Sequence, residues 1–253
     1  MNKTIFISGA TSGIGRSCAF YFAKDKNHLI LTGRREERLL QLQKELIEEH
    51  DIEVLILPFD IRNRDEVNEA VNSLPQEWKD IDVLINNAGL ASGLSTIQDG
   101  DIEDWEKMID TNLKGLLYLS RAIMPLMIER KKGHIINIGS IAGKEVYPNG
   151  NVYCSTKHAV DALTKAMRID LLPHMIKVTQ IAPGAVETEF SIVRFHGDEE
   201  KAGKVYDGYT PLTPNDIADA VYYVANLPEH VNINDLLIMP TAQASSGHFN
   251  KNI

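Results

Sequence analysis

Seven short runs rich in isoleucine, valine and leucine punctuate the chain, at Thr4–Ser8, His28–Thr32, Val54–Pro58, Val83–Asn86, His134–Gly139, Lys177–Ala182 and Asp235–Met239. None alternates strictly between apolar and polar positions, so each predicts a strand buried on both faces. Helical spacing fills the intervals. Arg35–His50 places Leu39, Leu42, Leu46 and Ile47 on one face, and Asn215–Asn226 carries Ile217, Ala220, Val221 and Val224 behind the start signal Thr213-Pro214. Asp101–Arg130 predicts a long helix that Pro125 should bend or split, unless the proline sits where a bend is tolerated. Strand and helix in regular succession predict an α/β fold: one doubly wound domain over residues 1–253, with a seven-stranded parallel sheet and helices on both faces. One stretch breaks the rhythm. Residues 187–214 are long, polar and glycine-bearing (Gly197, Gly203, Gly208), the character of a loop that serves as a substrate lid.

Composition narrows the function classes. At 253 residues, with 43% hydrophobic and 24% charged positions, the chain suits a single globular domain. A net charge of −9 argues against a nucleic-acid or anionic-membrane surface, while leaving room for a local basic pocket. Cys18 and Cys154 form neither a disulfide framework nor a CxxC pair, which suits a reducing, cytoplasmic setting. Cys18 reads as core and Cys154 as a packed wall residue. No apolar run approaches a membrane span, the apolar start before Ser8 is too short for a signal peptide, and the eight histidines fall into no metal-ligand spacing.

The chemistry-bearing motifs sit where strands end. Ser8-Gly9-Ala10-Thr11-Ser12-Gly13-Ile14-Gly15 follows the first strand and opens a helix. Glycines there let the backbone turn tightly and approach a pyrophosphate, and the helix start offers unpaired N–H groups to an anion. After the second strand, where an NAD enzyme places an acid to accept from the ribose 2′-hydroxyl, stands Gly33 followed by Arg34 and Arg35. Losing the acid and gaining two guanidinium groups favours a 2′-phosphate, hence NADP. Tyr153 and Lys157 lie four apart on a predicted helix and share a face. A phenol titrates near ~10 in isolation, and a neighbouring cation lowers that value toward a working acid/base.

Taken together these motifs resemble the classical short-chain dehydrogenase/reductase family. The glycine loop matches its TGxxxGIG with Ser8 for threonine; Asn86-Asn87-Ala88-Gly89 matches its NNAG; Asn112, Ser140, Tyr153-x-x-x-Lys157 and Pro183-Gly184 follow in order. The resemblance implies a Rossmann-type fold. It implies that Asn112, Ser140, Tyr153 and Lys157 are catalytic, with Tyr153 as acid/base, Ser140 donating to the substrate oxygen, and Asn112 bending its helix and holding a water in a relay to the lysine. It further implies cofactor contacts at Gly9, Thr11, Ser12, Gly13, Ile14, Gly15, Arg34, Arg35, Asn87, Ala88, Gly89, Tyr153, Lys157, Pro183, Gly184, Val186 and Thr188. Asp60-Ile61 reads either as the family's adenine contact or as an aspartate starting a turn.

The segments Glu189-Phe190-Ser191, Val193-Arg194-Phe195, His230–Asn234 and Met239-Pro240 resemble the family's NADP-dependent 3-hydroxy acid branch, similar to serine and L-allo-threonine dehydrogenases. That resemblance implies a small-molecule hydroxy acid or carbonyl substrate and a homotetramer. A carbonyl, diketone or ketoacyl reductase is the alternative in the same class, and a catalytically silent NADP-binding regulator the alternative in another. A 3-hydroxy acid carries a carboxylate that needs a partner when buried. Arg194, the only arginine in 187–214, either supplies it or is a surface or interface residue.

Overall fold

The computed structural model describes residues 2–252. Strands β1 (Thr4–Ser8), β2 (His28–Gly33), β3 (Val54–Pro58), β4 (Ile81–Asn86), β5 (His134–Ile138), β6 (Lys177–Pro183) and β7 (Asp235–Ile238) form one sheet in the order β3-β2-β1-β4-β5-β6-β7. Every neighbouring pair is parallel. The helices are α1 (Gly13–Ala23), α2 (Glu36–His50), α3 (Arg64–Asn72), α4 (Ile102–Ile109), α5 (Leu116–Arg130), α6 (Asn151–Leu171), α7 (Glu189–Arg194), α8 (Glu199–Lys204) and α9 (Pro214–Ala225).

Successive strand residues point to opposite faces, and both faces are covered, which is why the apolar runs are continuous. Ile5, Ile7, Leu29 and Leu31 pack under α1, α2 and α9 against Phe22, Leu42, Leu46 and Val221. Their neighbours Phe6, Ile30 and Leu84 face the other way, against Val67 of α3, Leu119 and Ile123 of α5, and Val160 of α6. Burial of each such side chain contributes roughly 1.5–3 kcal/mol. Strand order reverses between β1 and β4, so the loops leaving their C-terminal ends diverge and open a crevice there.

Two expectations change. The long helix over 101–130 loses its α-helical register at Asp110–Gly115, one π turn between α4 and α5, whereas Pro125 lies inside α5 without splitting it. The cause is tertiary: Asn112, in that turn, is bonded to groups outside the helix, which accommodates the extra residue of a π bulge. The 187–214 stretch is not a structureless loop. It holds α7 and α8, each started by a side-chain cap, Thr188 to the Phe190 N–H at 3.1 Å and Asp198 to the Lys201 N–H at 3.0 Å. Six-residue helices are too short to show a period in the sequence.

The helix that bears Tyr153 is stitched to the sheet by a charged cluster. Asp161 of α6 accepts from Lys144, from Lys165 at 2.5 Å and from Gln180 of β6 at 2.9 Å; Lys144 and Gln180 also reach Asp235 of β7. Burial would raise the Asp161 carboxyl, but the hydrogen bonds from Lys144, Lys165 and Gln180 prevail and hold it at about 2, below its ordinary 3.8. A depressed carboxyl stabilises the fold fully above the unfolded value and loses that contribution as pH falls through the folded one. Asp161→Asn should therefore lower unfolding stability by about 2 kcal/mol at pH 7, and roughly half of that gap should be gone at pH 3. Urea titrations of both proteins at several pH values measure this, and a gap that does not narrow on acidification would contradict the assignment.

Candidate active site

The crevice is built from the ends of β1 and β4. Gly9 holds φ +66°, a left-handed turn that favours glycine, and a Cβ on Gly15 would lie 2.4 Å from the Gly9 carbonyl. The hydroxyl of Ser8 accepts from the backbone N–H groups of Asn87 and Ala88, both at 3.0 Å, and the Asn87 amide donates to the carbonyls of Ser8 and Gly9 at 2.9 and 3.1 Å. The serine that replaces the family's threonine thus keeps the hydroxyl function, and the Asn87 side chain braces the glycine loop. Ser12 precedes α1 in extended backbone without a side-chain cap bond, which leaves the first N–H groups of the helix without that partner, and Gly13 and Ile14 line the crevice.

On the β2 side no acid could be placed at residue 33 without rearrangement, because a Cβ on Gly33 would meet the Thr11 methyl at 2.9 Å. Arg35 instead lies over the loop, donating to Thr11 Oγ1 at 2.8 Å and Ser12 Oγ at 2.9 Å. Arg34 is half-exposed, 3.9 Å from Asp60. Asp60 does start a turn: its carboxylate accepts from the Arg62 backbone N–H at 3.0 Å and from the Arg62 guanidinium at 2.6 Å. Burial would raise the Asp60 carboxyl, and these Arg62 bonds more than offset it and hold it low.

Ser140, Tyr153 and Lys157 converge beyond β5. Ser140 is fixed by accepting from the Ala142 N–H at 3.1 Å. Tyr153 is buried, with Phe190 edge-on at 5.5 Å between centroids. Lys157 Nζ lies 6.0 Å from the Tyr153 ring centre and donates to the Ile138 carbonyl at 2.9 Å. Burial without a carboxylate partner pulls the lysine down to about 8. The tyrosine departs from expectation. Burial, then the neighbouring Tyr147, push its phenol up; the opposing influences are the Arg194 guanidinium and the Ser140 hydroxyl, not Lys157. Sharing a helix face brings Lys157 near, but its ammonium is bonded to a backbone carbonyl.

Asn112 does not line the cavity. Its amide accepts from the Leu90 N–H at 2.8 Å and donates to the Leu90 carbonyl at 2.8 Å and to Thr156 Oγ1 at 3.1 Å. It joins the π turn, the loop after β4 and the Tyr153-bearing helix α6, so its side chain positions backbone.

Arg194 projects inward. Its guanidinium lies 5.1 Å from the ring centres of Tyr153 and Phe190 and donates to the Tyr147 hydroxyl at 2.8 Å, while its Nε is buried with no hydrogen-bond partner. Apart from Gly15 and Asn112, all the sequence-predicted site residues line one cavity of about 580 Å³. Residues that sequence reading passed over line it too: Tyr147, and Gln243, Ser246, Phe249 and Lys251 from the C-terminal segment, which carry no motif. Arg38 was also passed over, although it lies one turn after Arg35 on α2 and joins it on Glu189. Both cysteines are buried, and burial pushes both thiols up, Cys18 to about 12. Among the described residues no group of three or more potential ligands is arranged for a metal, and no helix is long and apolar enough to cross a membrane.

A glycine loop on the first parallel strand, beside a serine, a tyrosine and a lysine in one crevice, is the layout of a nucleotide-linked dehydrogenase. The chain belongs to the short-chain dehydrogenase family, whose model matches residues 3–198. It is 51% identical to an NADP-dependent 3-hydroxy acid dehydrogenase of Salmonella typhi, over 96% of this chain and 97% of that protein. With sulfoacetaldehyde reductase 2 of Chromohalobacter salexigens it shares 43% identity over 97% of each. Among solved structures it resembles the closed form of serine dehydrogenase complexed with NADP+, at TM-score 0.91 and 47% identity, covering 96% of this chain and 97% of that one.

Asn112→Ala should leave the buried backbone N–H and carbonyl of Leu90 without partners, at a cost of about 3 kcal/mol in chemical denaturation. Unchanged stability would show that the amide is not the brace described above.

Proposed function

We propose that the enzyme oxidises the 3-hydroxyl of small 3-hydroxy acids, serine or 3-hydroxypropionate among them, or reduces the matching carbonyls. The cofactor is NADP, which when bound exchanges the hydride. Arg34 and Arg35 flank the ribose end of the groove, where an acid on residue 33 would have to displace the Thr11 methyl. At the other end Tyr153 holds the proton that moves with the hydride, Ser140 donates to the substrate oxygen, and Lys157 supplies a buried cation beside both. A phenol pushed up by burial is neutral at pH 7, the form that protonates a substrate oxygen in the reductive direction.

The observation that carries the substrate class is Arg194. A half-buried arginine whose buried Nε lacks a partner, set beside the Tyr153 ring, suits a carboxylate, which a guanidinium can grip through two N–H groups. The named relatives agree in kind, since 3-hydroxy acids, serine and sulfoacetaldehyde each place an anionic group near the reacting carbon. In this reading residues 187–214 are the substrate lid of a single-domain enzyme, with Arg194 and Phe190 on its inner side. A cytoplasmic homotetramer completes it. Two free cysteines suit the compartment, and Ile169, Leu172 and Met175, each over two-thirds exposed near the end of α6, offer apolar surface for subunit contact.

Kinetics with NADP and a panel of serine, L-allo-threonine, 3-hydroxyisobutyrate and uncharged alcohols tests the assignment. Tyr153→Phe should lower turnover by about 10²- to 10⁴-fold, the usual worth of a positioned acid/base, while NADP binding persists. Arg194→Leu should raise the KM for the acids by roughly tenfold or more and leave uncharged substrates much less affected. An equal effect on charged and uncharged substrates would remove the carboxylate clamp.

A further inference from the structure

The segment that carries Arg194 is tied across the groove at its opposite end. Glu189, the first residue of α7, accepts from Arg38 Nη1 at 2.8 and 3.1 Å and from Arg35 Nη1 at 3.0 Å. Arg35 Nε and Nη2 donate to Thr11 and Ser12 of the glycine loop. One guanidinium therefore joins the loop that faces the dinucleotide to the base of the lid, and Arg38, one turn further along α2, fixes the same carboxylate from behind. The chain runs from α2 over the glycine loop to α7, so the groove is bridged. The bridge is not incidental to α7: residue 188 caps that helix, and residues 190 and 194 on it meet the Tyr153 ring.

A carboxylate in this place has a cost. It puts a negative charge beside a groove built for phosphates, so by charge alone Glu189 weakens the grip on an anionic dinucleotide. Two arginines converging on it offset that charge, and their convergence gives the carboxylate a mechanical use. We propose that Glu189, with Arg38 and Arg35, is a clasp that holds the lid base over the bound dinucleotide and sets its rate of release. Glu189 and Arg38 are positioning residues here and take no part in the proton or hydride transfer. The proposal rests on NADP occupying this groove.

The two effects of Glu189 have opposite signs, which makes Glu189→Gln decisive. As a clasp, its loss speeds NADPH release; as a stray charge, its loss slows release. Stopped-flow fluorescence of NADPH displaced from the holoenzyme reads the rate directly. We expect an increase of about fivefold, the scale of one partly exposed ion pair. Arg38→Leu should speed release in the wild-type background and add little in the Glu189→Gln background, because both break the same contact. In the protein without cofactor, limited proteolysis within 187–214 should also quicken in Glu189→Gln. All three side chains are between 41% and 49% exposed, so the substitutions spare the core, and equal thermal melting confirms it. Release that is unchanged or slower in Glu189→Gln, or Arg38→Leu acting equally in both backgrounds, would overturn the clasp. A wild-type chain that binds NADH tightly and NADPH weakly would overturn the cofactor assignment, and the clasp with it.

Discussion

The contact between the C-terminal ends of β1 and β4 organises the site. Two glycine-bearing loops must leave adjacent parallel strands, run in opposite directions and still touch, and each would carry unpaired backbone groups if left to itself. The Ser8 hydroxyl and the Asn87 amide resolve this by pairing the backbone of each loop with a side chain of the other. Once the loops are locked, the N-terminus of α1 is aimed, the crevice has a fixed floor, and the loop through Leu90 has a fixed direction. Asn112 then carries that position to α6, through Leu90 on one side and Thr156 on the other. The position of Tyr153 is thus referenced to the glycine loop by hydrogen bonds that join two loops, the π turn and α6.

Burial sets the electrostatics of this arrangement more than pairing does. Lys157 has no carboxylate beside it, and its ammonium is held by a backbone carbonyl alone. Tyr153 is closed in by Tyr147 and Phe190, which keeps its phenol neutral. A compensating carboxylate at the lysine would raise its basicity but add a negative charge beside the groove that takes the anionic dinucleotide.

The sheet was legible in the sequence because strands covered on both faces need unbroken apolar runs, and Ile5-Phe6-Ile7 or Leu29-Ile30-Leu31 leave little other use for such residues. The crevice was legible because glycines and a tyrosine–lysine pair are tied to position by local geometry. What escaped depends on residues far apart in the chain. Nothing near Arg38 announces Glu189, 151 positions away, and nothing in the last ten residues marks Phe249 or Lys251 as cavity walls. The bend at Asn112 was implied by the family resemblance, whereas periodicity and local propensity pointed to Pro125, because the π turn is made by an amide reaching outside the helix. Proximity of Lys157 to Tyr153 was read correctly, but which cation acts on the phenol depends on where each ammonium or guanidinium is anchored.

Arg194 has a consequence for the strength of the acid itself. Its guanidinium is the main group that eases ionisation of Tyr153 against burial. If that guanidinium is the seat of the substrate's anionic group, an arriving anion cancels the field the phenol feels. The proton on Tyr153 is then held more tightly with an anionic substrate in place than with an uncharged one. On that condition selectivity and acidity would be one variable in this pocket: substrate charge would also set how readily the tyrosine parts with its proton, and an uncharged alcohol of the same size would meet a different acid.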